Sequence, residues 1–318
     1  MPTYDDAILR TGTLGTNTDP LVPEPLLADV IALATQSSVA LSQCANVRMA
    51  SGTARQPVLA TKAIAYWRTG DTGLIQTTKL EWENVDLVAE SLDVIVPIPK
   101  TYLSDSIVDV WGQVRGELAE AVARQIDAAV LFGTGAPSTF GDSLYEVADG
   151  VGNVVQAGTN DDLAADIAEM GELLEGQGYN LSGFASKPGF GWSLRKQRTA
   201  DGIGVIGGDY QVSGSVKSLY GLPLNIVANG AWDTTSAVLI GGDFTKAVIG
   251  IREDAQWETS NQAVIQDGQG AIVYNLWQQD MVALKLSLRY GFATANPVTA
   301  VESSALERAP FAVLTPGT

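Results

Sequence analysis

The chain has 318 residues, 46% of them hydrophobic, and carries a formal net charge of −17. That length and apolar content can build one large or two ordinary domains around a real core and exclude wholesale disorder. The acidity argues against a surface built to neutralise phosphates, which needs clustered Lys and Arg.

Missing residue types exclude more. There is no His, which removes the commonest general base, the usual Ser and Cys triads, and most zinc and non-haem iron sites. Cys44 is the one cysteine, so no intrachain disulfide or thiolate cluster can form, and synthesis in a reducing cytoplasm is expected. Nothing in the composition calls for a cofactor, catalytic group or metal. Residues 1–15 carry Asp5, Asp6 and Arg10 without an apolar signal-peptide core, and no apolar run is long enough to cross a bilayer. A soluble product that is not exported and has no membrane partner is expected.

In chain order, residues 1–22 are rich in Thr, Gly, Asp and Asn and read as an extended arm. Pro23-Glu24-Pro25 then opens a helical spacing of Leu26, Leu27, Val30, Ile31 and Ala34, which predicts a short helix over 24–37. Residues 45–100 change to a charge-segregated β-arm. Arg48, Arg55, Lys62, Arg68 and Lys79 face only Asp71 up to position 80, whereas 81–93 hold Glu81, Glu83, Asp86, Glu90 and Asp93 with no base. Two strand-like limbs, 55–68 and 77–97, flank Gly70-Asp71-Thr72-Gly73 as turn chemistry. The ribbon has too few large apolar residues for a core of its own, so other copies of the chain are the simplest source of cover.

The strongest helical pattern follows over 105–132, where Ile107, Trp111, Val114, Leu118, Val122, Ile126 and Ala129 recur three or four apart. Ser104 is the expected cap and Gly133 the expected stop, giving a strut roughly 40 Å long. Beyond Gly133-Thr134-Gly135-Ala136-Pro137 a looser region leads to a helix over 161–175 with Leu163, Ile167, Met170 and Leu174 on one face, stopped by Gly176 and Gly178. A mixed α/β block continues through Phe184-Ala185-Ser186-Lys187-Pro188, the basic cluster Arg195, Lys196 and Arg198, and strands at 222–227 and 237–240. Final strands are expected at 246–251, 271–274 and 281–290, and 303–318 reads as a tail. There is no internal repeat.

Three motifs invite sharper readings. Asp71-Thr72-Gly73 spells the aspartic-protease tripeptide, but it has no second copy and no apolar strand before it, and a hairpin turn predicts the same residues. Gly202-Ile-Gly-Val-Ile-Gly207 matches the dinucleotide fingerprint, yet neither a strand precedes it nor a helix follows, so it reads as a loop. Trp67, Trp82 and Trp111 could form a sugar platform, although packing in a core or interface accounts for them more simply.

The order of arm, short helix, long hairpin, strut helix, α/β block and final strands resembles the major capsid proteins of tailed bacteriophages, the Hong Kong 97-type shell fold. Local phrases carry the likeness. Asp127-Ala-Ala-Val-Leu-Phe-Gly-Thr-Gly-Ala-Pro137 looks like the family's helix end, Leu219-Tyr-Gly-Leu-Pro223 like its "leucine-x-glycine-x-proline" strand start, and Leu239-Ile-Gly-Gly-Asp-Phe244 like its "glycine-aspartate-phenylalanine" turn. Residues 279–291, Gln-Asp-Met-Val-Ala-Leu-Lys-Leu-Ser-Leu-Arg-Tyr-Gly, are similar to the strand that ends most members. The likeness covers about 22–302 in the correct order.

The resemblance implies an α+β fold with an N-terminal arm and short helix (1–46), an extended loop (47–97), a peripheral domain (98–149 and 246–302) with spine helix 104–132, and an axial domain (150–245). It implies no enzyme but a virion component, made and assembled in the bacterial cytoplasm, whose copies form hexamers and pentamers closing into an icosahedral shell around DNA. Portal, scaffolding and decoration proteins are the implied further partners, with scaffolding expected as a separate chain. The founding member's Lys-to-Asn cross-link is not expected, because 270–277 and 284–286 lack the matching positions. The inter-subunit contact candidates are Arg48, Arg55, Val58, Leu59, Ile64, Trp67, Arg68, Lys79, Leu80 and Trp82 on the loop, against Asp109, Glu117 and Glu120 on the strut. An encapsulin-like nanocompartment shell is the rival within the fold, and a carboxylate-dependent hydrolase the rival outside it.

Overall fold

The computed structural model describes residues 38–68, 70, 73–106, 110–160, 162–196 and 218–317. The expected N-terminal arm, the helix over 24–37, Asp71, Thr72, Asp109, Arg198 and the glycine-rich 202–207 lie outside these residues.

The chain enters through α1 (Val39–Gln43) and β1 (Ala45–Arg48), then forms a ribbon from β2 (Thr53–Thr61) and β3 (Glu81–Val88). The second expected limb, 77–97, is divided at Ala89. Its first half is β3, and its second half is β4 (Glu90–Pro99), which leaves the ribbon and pairs along β13 (Met281–Thr294) from Tyr290 to Met281. Apolar residues alternate on both sides of Ala89, so pattern alone could not reveal the change of partner.

The expected helix over 105–132 is also divided. Ser104 does not cap it; it lies inside the short helix α2 (Lys100–Asp105), where its hydroxyl donates to the Thr101 carbonyl, and Ser106 is extended. Polar side chains that bond back to their own turn compete with helix propagation, and Ser104-Asp105-Ser106 concentrates three of them. The strut itself is α3 (Val110–Phe132), about 34 Å long at about 1.5 Å per residue. It ends as expected at Gly133, whose φ of 69° is the left-handed conformation a glycine tolerates.

The supposedly loose region contains α4 (Leu144–Val151). Ser143 accepts from the Glu146 amide while Glu146 accepts from the Ser143 amide, a reciprocal cap legible in Ser143-x-x-Glu146. Next come β5 (Val154–Gln156), α5 (Leu163–Gly176), β6 (Gly183–Ser186), α6 (Phe190–Lys196), β7 (Ser218–Leu219), β8 (Leu222–Ile226) and β9 (Leu239–Gly242). The chain closes with β10 (Ala247–Ser260), the hairpin β11 (Val264–Gln266) and β12 (Ile272–Asn275), then β13 and β14 (Phe311–Thr315).

Two larger sheets organise this. One has the order β1-β10-β13-β4 and the other β5-β14-β9-β6-β8-β7. The expected tail over 303–318 is therefore corrected: it contains β14, an interior strand parallel to β5 and antiparallel to β9. Phe311 and Val313 pack with the core of Leu118, Val122, Ile126 and Phe292 around α3, while Ala312 and Leu314 pack with Ile167, Met170 and Phe190 beneath α5 and α6. A strand covered on both faces reads as a continuous apolar run, which is what Phe311-Ala-Val-Leu314 is. Gly242 makes the seating possible, since a Cβ there would collide with Phe311 and the Pro310 carbonyl.

The first core is tied to the chain's start by Asp127 on α3. This fully buried carboxylate accepts from the Ser38 hydroxyl (2.6 Å), the Val39 and Ala40 amides (3.1 and 2.9 Å) and the Asn229 side-chain amide (2.7 Å). Cys44, buried nearby, has its thiol pushed up to about 12, first by burial and then by the negative charge of Asp127. Such a thiol contributes stability in full below its ordinary pKa of 9.0 and loses it as pH climbs towards 12. Asp127→Ala is expected to cost about 3–4 kcal/mol, measurable by urea unfolding of unassembled subunits, because it strands several buried donors at once. In the native protein at pH 8, Cys44 should resist thiolate-directed labelling, and the same variant should speed that labelling.

Candidate inter-subunit surface

The β2–β3 ribbon is rooted firmly and ends openly. At the root, the Ala89 amide donates to the Gly52 carbonyl, and Met49, Leu87, Ala89, Val248 and Ala293 form a small core of their own. Gly291 on β13 allows the ribbon backbone to come close, since a Cβ there would stand 2.6 Å from the Val88 carbonyl oxygen. Farther out, the Val298 amide donates to the Leu59 carbonyl and ties β2 to the body.

The candidate residues fall into three groups. Arg48 is exposed at the end of β1. Val58 and Leu59 are half-buried on β2, with Leu59 opposite Trp82 of β3. Ile64, Trp67, Arg68, Lys79 and Leu80 belong to the exposed, non-strand tip. Trp67 is 100% exposed, and Tyr66, Leu74 and Ile75 beside it are exposed too, although sequence reading did not single them out. Their signal is large apolar type within a polar hairpin tip.

The charge segregation is partly satisfied inside the ribbon. Arg55 pairs with Asp86 across the strands at 2.9 Å, both side chains largely in solvent. An exposed pair of this kind contributes about 0–1 kcal/mol, so it sets register more than stability. On α3, Glu117 is exposed and Glu120 half-buried, a turn and more from the buried end of the helix. Among the described residues, neither of these acids pairs with the basic tip within one chain. Arg195 and Lys196 sit in the last turn of α6, Arg195 lying over the Trp192 ring at 5.0 Å.

The strand expected over 271–274 is β12, but its pairing with β11 into a second ribbon was not anticipated. The expected strand at 246–251 runs on to Ser260, and β11–β12 continues it around the turn Asp267-Gly268-Gln269-Gly270, where Asp267 accepts from the Gln269 and Ala271 amides. Val264, Ile272, Val273, Tyr274 and Trp277 are exposed on it. The Asp-Gly-x-Gly turn was the available signal.

The comparisons agree with this geometry. Residues 19–301 match the model of the Phage capsid family. The major capsid protein of Staphylococcus phage 80alpha is 28% identical over 243 residues, 74% of this chain and 70% of that protein. A solved chain from Microbacterium phage Oxtober96 superposes with a TM-score of 0.85 at 35% identity, covering 93% of this chain and 97% of its own. One from Mycobacterium phage Cain gives 0.82 at 30% identity, with 93% and 95% covered. The chain belongs to the phage capsid family, and its α+β architecture is the Hong Kong 97-type shell fold of tailed-phage capsids. It is a structural subunit of a virion shell, which self-associates.

The close approach at Gly291 gives a direct check on how the ribbon is rooted. Gly291→Val is expected to lower subunit stability by about 1–3 kcal/mol through overpacking against Val88, read as a fall in the thermal midpoint of unassembled protein.

Proposed function

We propose that this chain is the major subunit of the shell, assembling through hexamers and pentamers into an icosahedral container for phage DNA. The observation that carries the reading is the ribbon tip. Ile64, Tyr66, Trp67, Leu74, Ile75 and Leu80 stand in water on a segment with no core of its own. Covering six such side chains is worth on the order of 10 kcal/mol per subunit, at roughly 1.5–3 kcal/mol each. A monomer cannot recover that, whereas a ring in which each ribbon lies across the next subunit recovers it at every contact.

In this reading the four-stranded sheet with α3 is the peripheral domain, and the six-stranded sheet, β14 included, is the axial domain nearest the capsomer centre. The ribbon of one copy crosses α3 and the peripheral sheet of the next. Arg48, Arg68 and Lys79 meet acids there, Asp109, Glu117 and Glu120 being the candidates, and these charges select partner and register while apolar cover supplies affinity. The second ribbon, β11–β12, offers a further contact with neighbouring copies.

The net charge of −17 suits a container that holds DNA loosely, because acidic walls repel phosphate instead of binding it. The work is geometric and needs no catalytic group. Assembly takes place in the host cytoplasm, and portal, scaffolding and decoration proteins complete the partners.

Replacing residues 62–80 by a short Gly-Asn turn tests the reading. Subunits should remain folded by circular dichroism, since the root core and both sheets are untouched, yet form neither rings nor shells by negative-stain microscopy and sedimentation. Normal shells from that variant would overturn it.

A further inference from the structure

The body contains a recess that none of the described residues fills. Between α3, the Gly133–Pro137 turn and the peripheral sheet lies an apolar cavity of about 190 Å³, walled by Leu92, Ile126, Ala129, Phe140 and Phe292. An apolar cavity of about 150 Å³ is known to be large enough for a benzene ring, so this one has room for a single aromatic side chain. Glu90 forms part of its wall, and Ser91 and Pro137, which also line it, are exposed.

We propose that the cavity is the socket for Trp67 of an adjacent copy, a specific anchor within the ribbon docking set out above and dependent on that reading. Three observations single out this occupant. Trp67 is completely exposed, which no core or hairpin role explains. It is followed by Arg68 on a tip that also carries Lys62 and Lys79, while the one charged residue lining the recess is Glu90, so a basic tip would meet an acid at the socket wall. The chain's own Trp67 does not fill the recess, since it is 100% exposed. Glu90, Ser91 and Leu92 of the socket form the root from which the ribbon leaves, and Trp67 stands fifteen residues out from Gly52 at that root, up to about 50 Å along an extended chain. The bond from Val298 to Leu59 holds the ribbon along that outward path.

A buried indole in a desolvated pocket is the usual form of an interface hot spot, surrounded by contacts that exclude water and add little. The geometry thus divides labour along the ribbon: Trp67 anchors, while Ile64, Leu74, Ile75 and Leu80 cover. The recess has room for one aromatic ring, and its apolar walls favour such a ring over a polar side chain.

The test uses the full chain. Arg68→Cys, which leaves Trp67 in place, is combined with Ser91→Cys beside the socket, and separately with Glu117→Cys about 13 Å along the helix from Ile126. Shells are treated with a short bis-maleimide and run on denaturing gels; Cys44 is buried and its thiol held protonated, so it does not compete. The expected result is a covalent ladder of subunits with Ser91→Cys and little with Glu117→Cys. A ladder with Glu117→Cys alone would overturn the socket while leaving ribbon docking intact, and normal shells with no ladder from either pair would overturn both. A second measurement does not depend on cysteines: Trp67→Ala should raise the concentration threshold for assembly at least about tenfold, and Trp67→Phe should restore most of it. Equal thresholds for Trp67→Ala and the parent would overturn the anchor.

Discussion

The buried carboxylate of Asp127 is the point on which the subunit's geometry rests. It lies in the last turns of the spine helix, yet three of its four hydrogen-bond donors come from residues 38–40 and the fourth from Asn229. A charge taken out of water persists only where donors saturate it, so the helix end, the start of α1 and the loop after β8 must coincide. From α1 the chain passes through buried Cys44 into β1, which runs parallel to β10, and then to Met49 in the core at the ribbon root. A side chain on the spine thereby determines where the projecting ribbon begins.

The ribbon is built in two regimes. Its root is dry, held by a small apolar core and by the backbone approach at Gly291; its tip carries large apolar side chains in water. Placing the exposed residues at the far end of a well-anchored lever lets the subunit fold alone and still carry a strong reason to associate. The second ribbon repeats the device on a smaller scale, extending beyond the two central strands of the four-stranded sheet.

Several errors of sequence reading share one physical origin. The limb over 77–97 was expected to be continuous because alternation of apolar residues records burial on one face and is silent about which strand supplies the cover; β3 and β4 obey the same pattern with different partners. The segment 303–318 was expected to be a tail because a four-residue apolar run near a terminus is short, yet β14 lies inside a sheet between β5 and β9, a placement set by residues more than 60 positions away. Ser104 was an attractive cap on composition alone, and its hydroxyl turned instead to its own helix. By contrast α4 could have been found, since Ser143 and Glu146 stand at the capping-box spacing. Of the surface candidates, apolar type at the ribbon tip was legible for Ile64, Trp67 and Leu80, while the pairing of Arg55 with Asp86 depended on a strand register that spacing does not specify.

What the sequence by itself determined is the kind of object this is: an acidic chain without His, with one strong amphipathic helix, a ribbon too poor in apolar residues to fold alone, and the ordered phrases of a shell protein. Composition and period suffice for these because they are properties of neighbours along the chain. Only the tertiary structure decided that β14 lies inside the larger sheet, that Asp127 ties residues 38–40 to Asn229, and that α3 and the four-stranded sheet leave a ring-sized recess at the ribbon's root. Each of these is a contact between residues far apart in sequence, fixed by the demand that buried polar groups be bonded and apolar faces be covered, and no local pattern records which distant partner meets that demand.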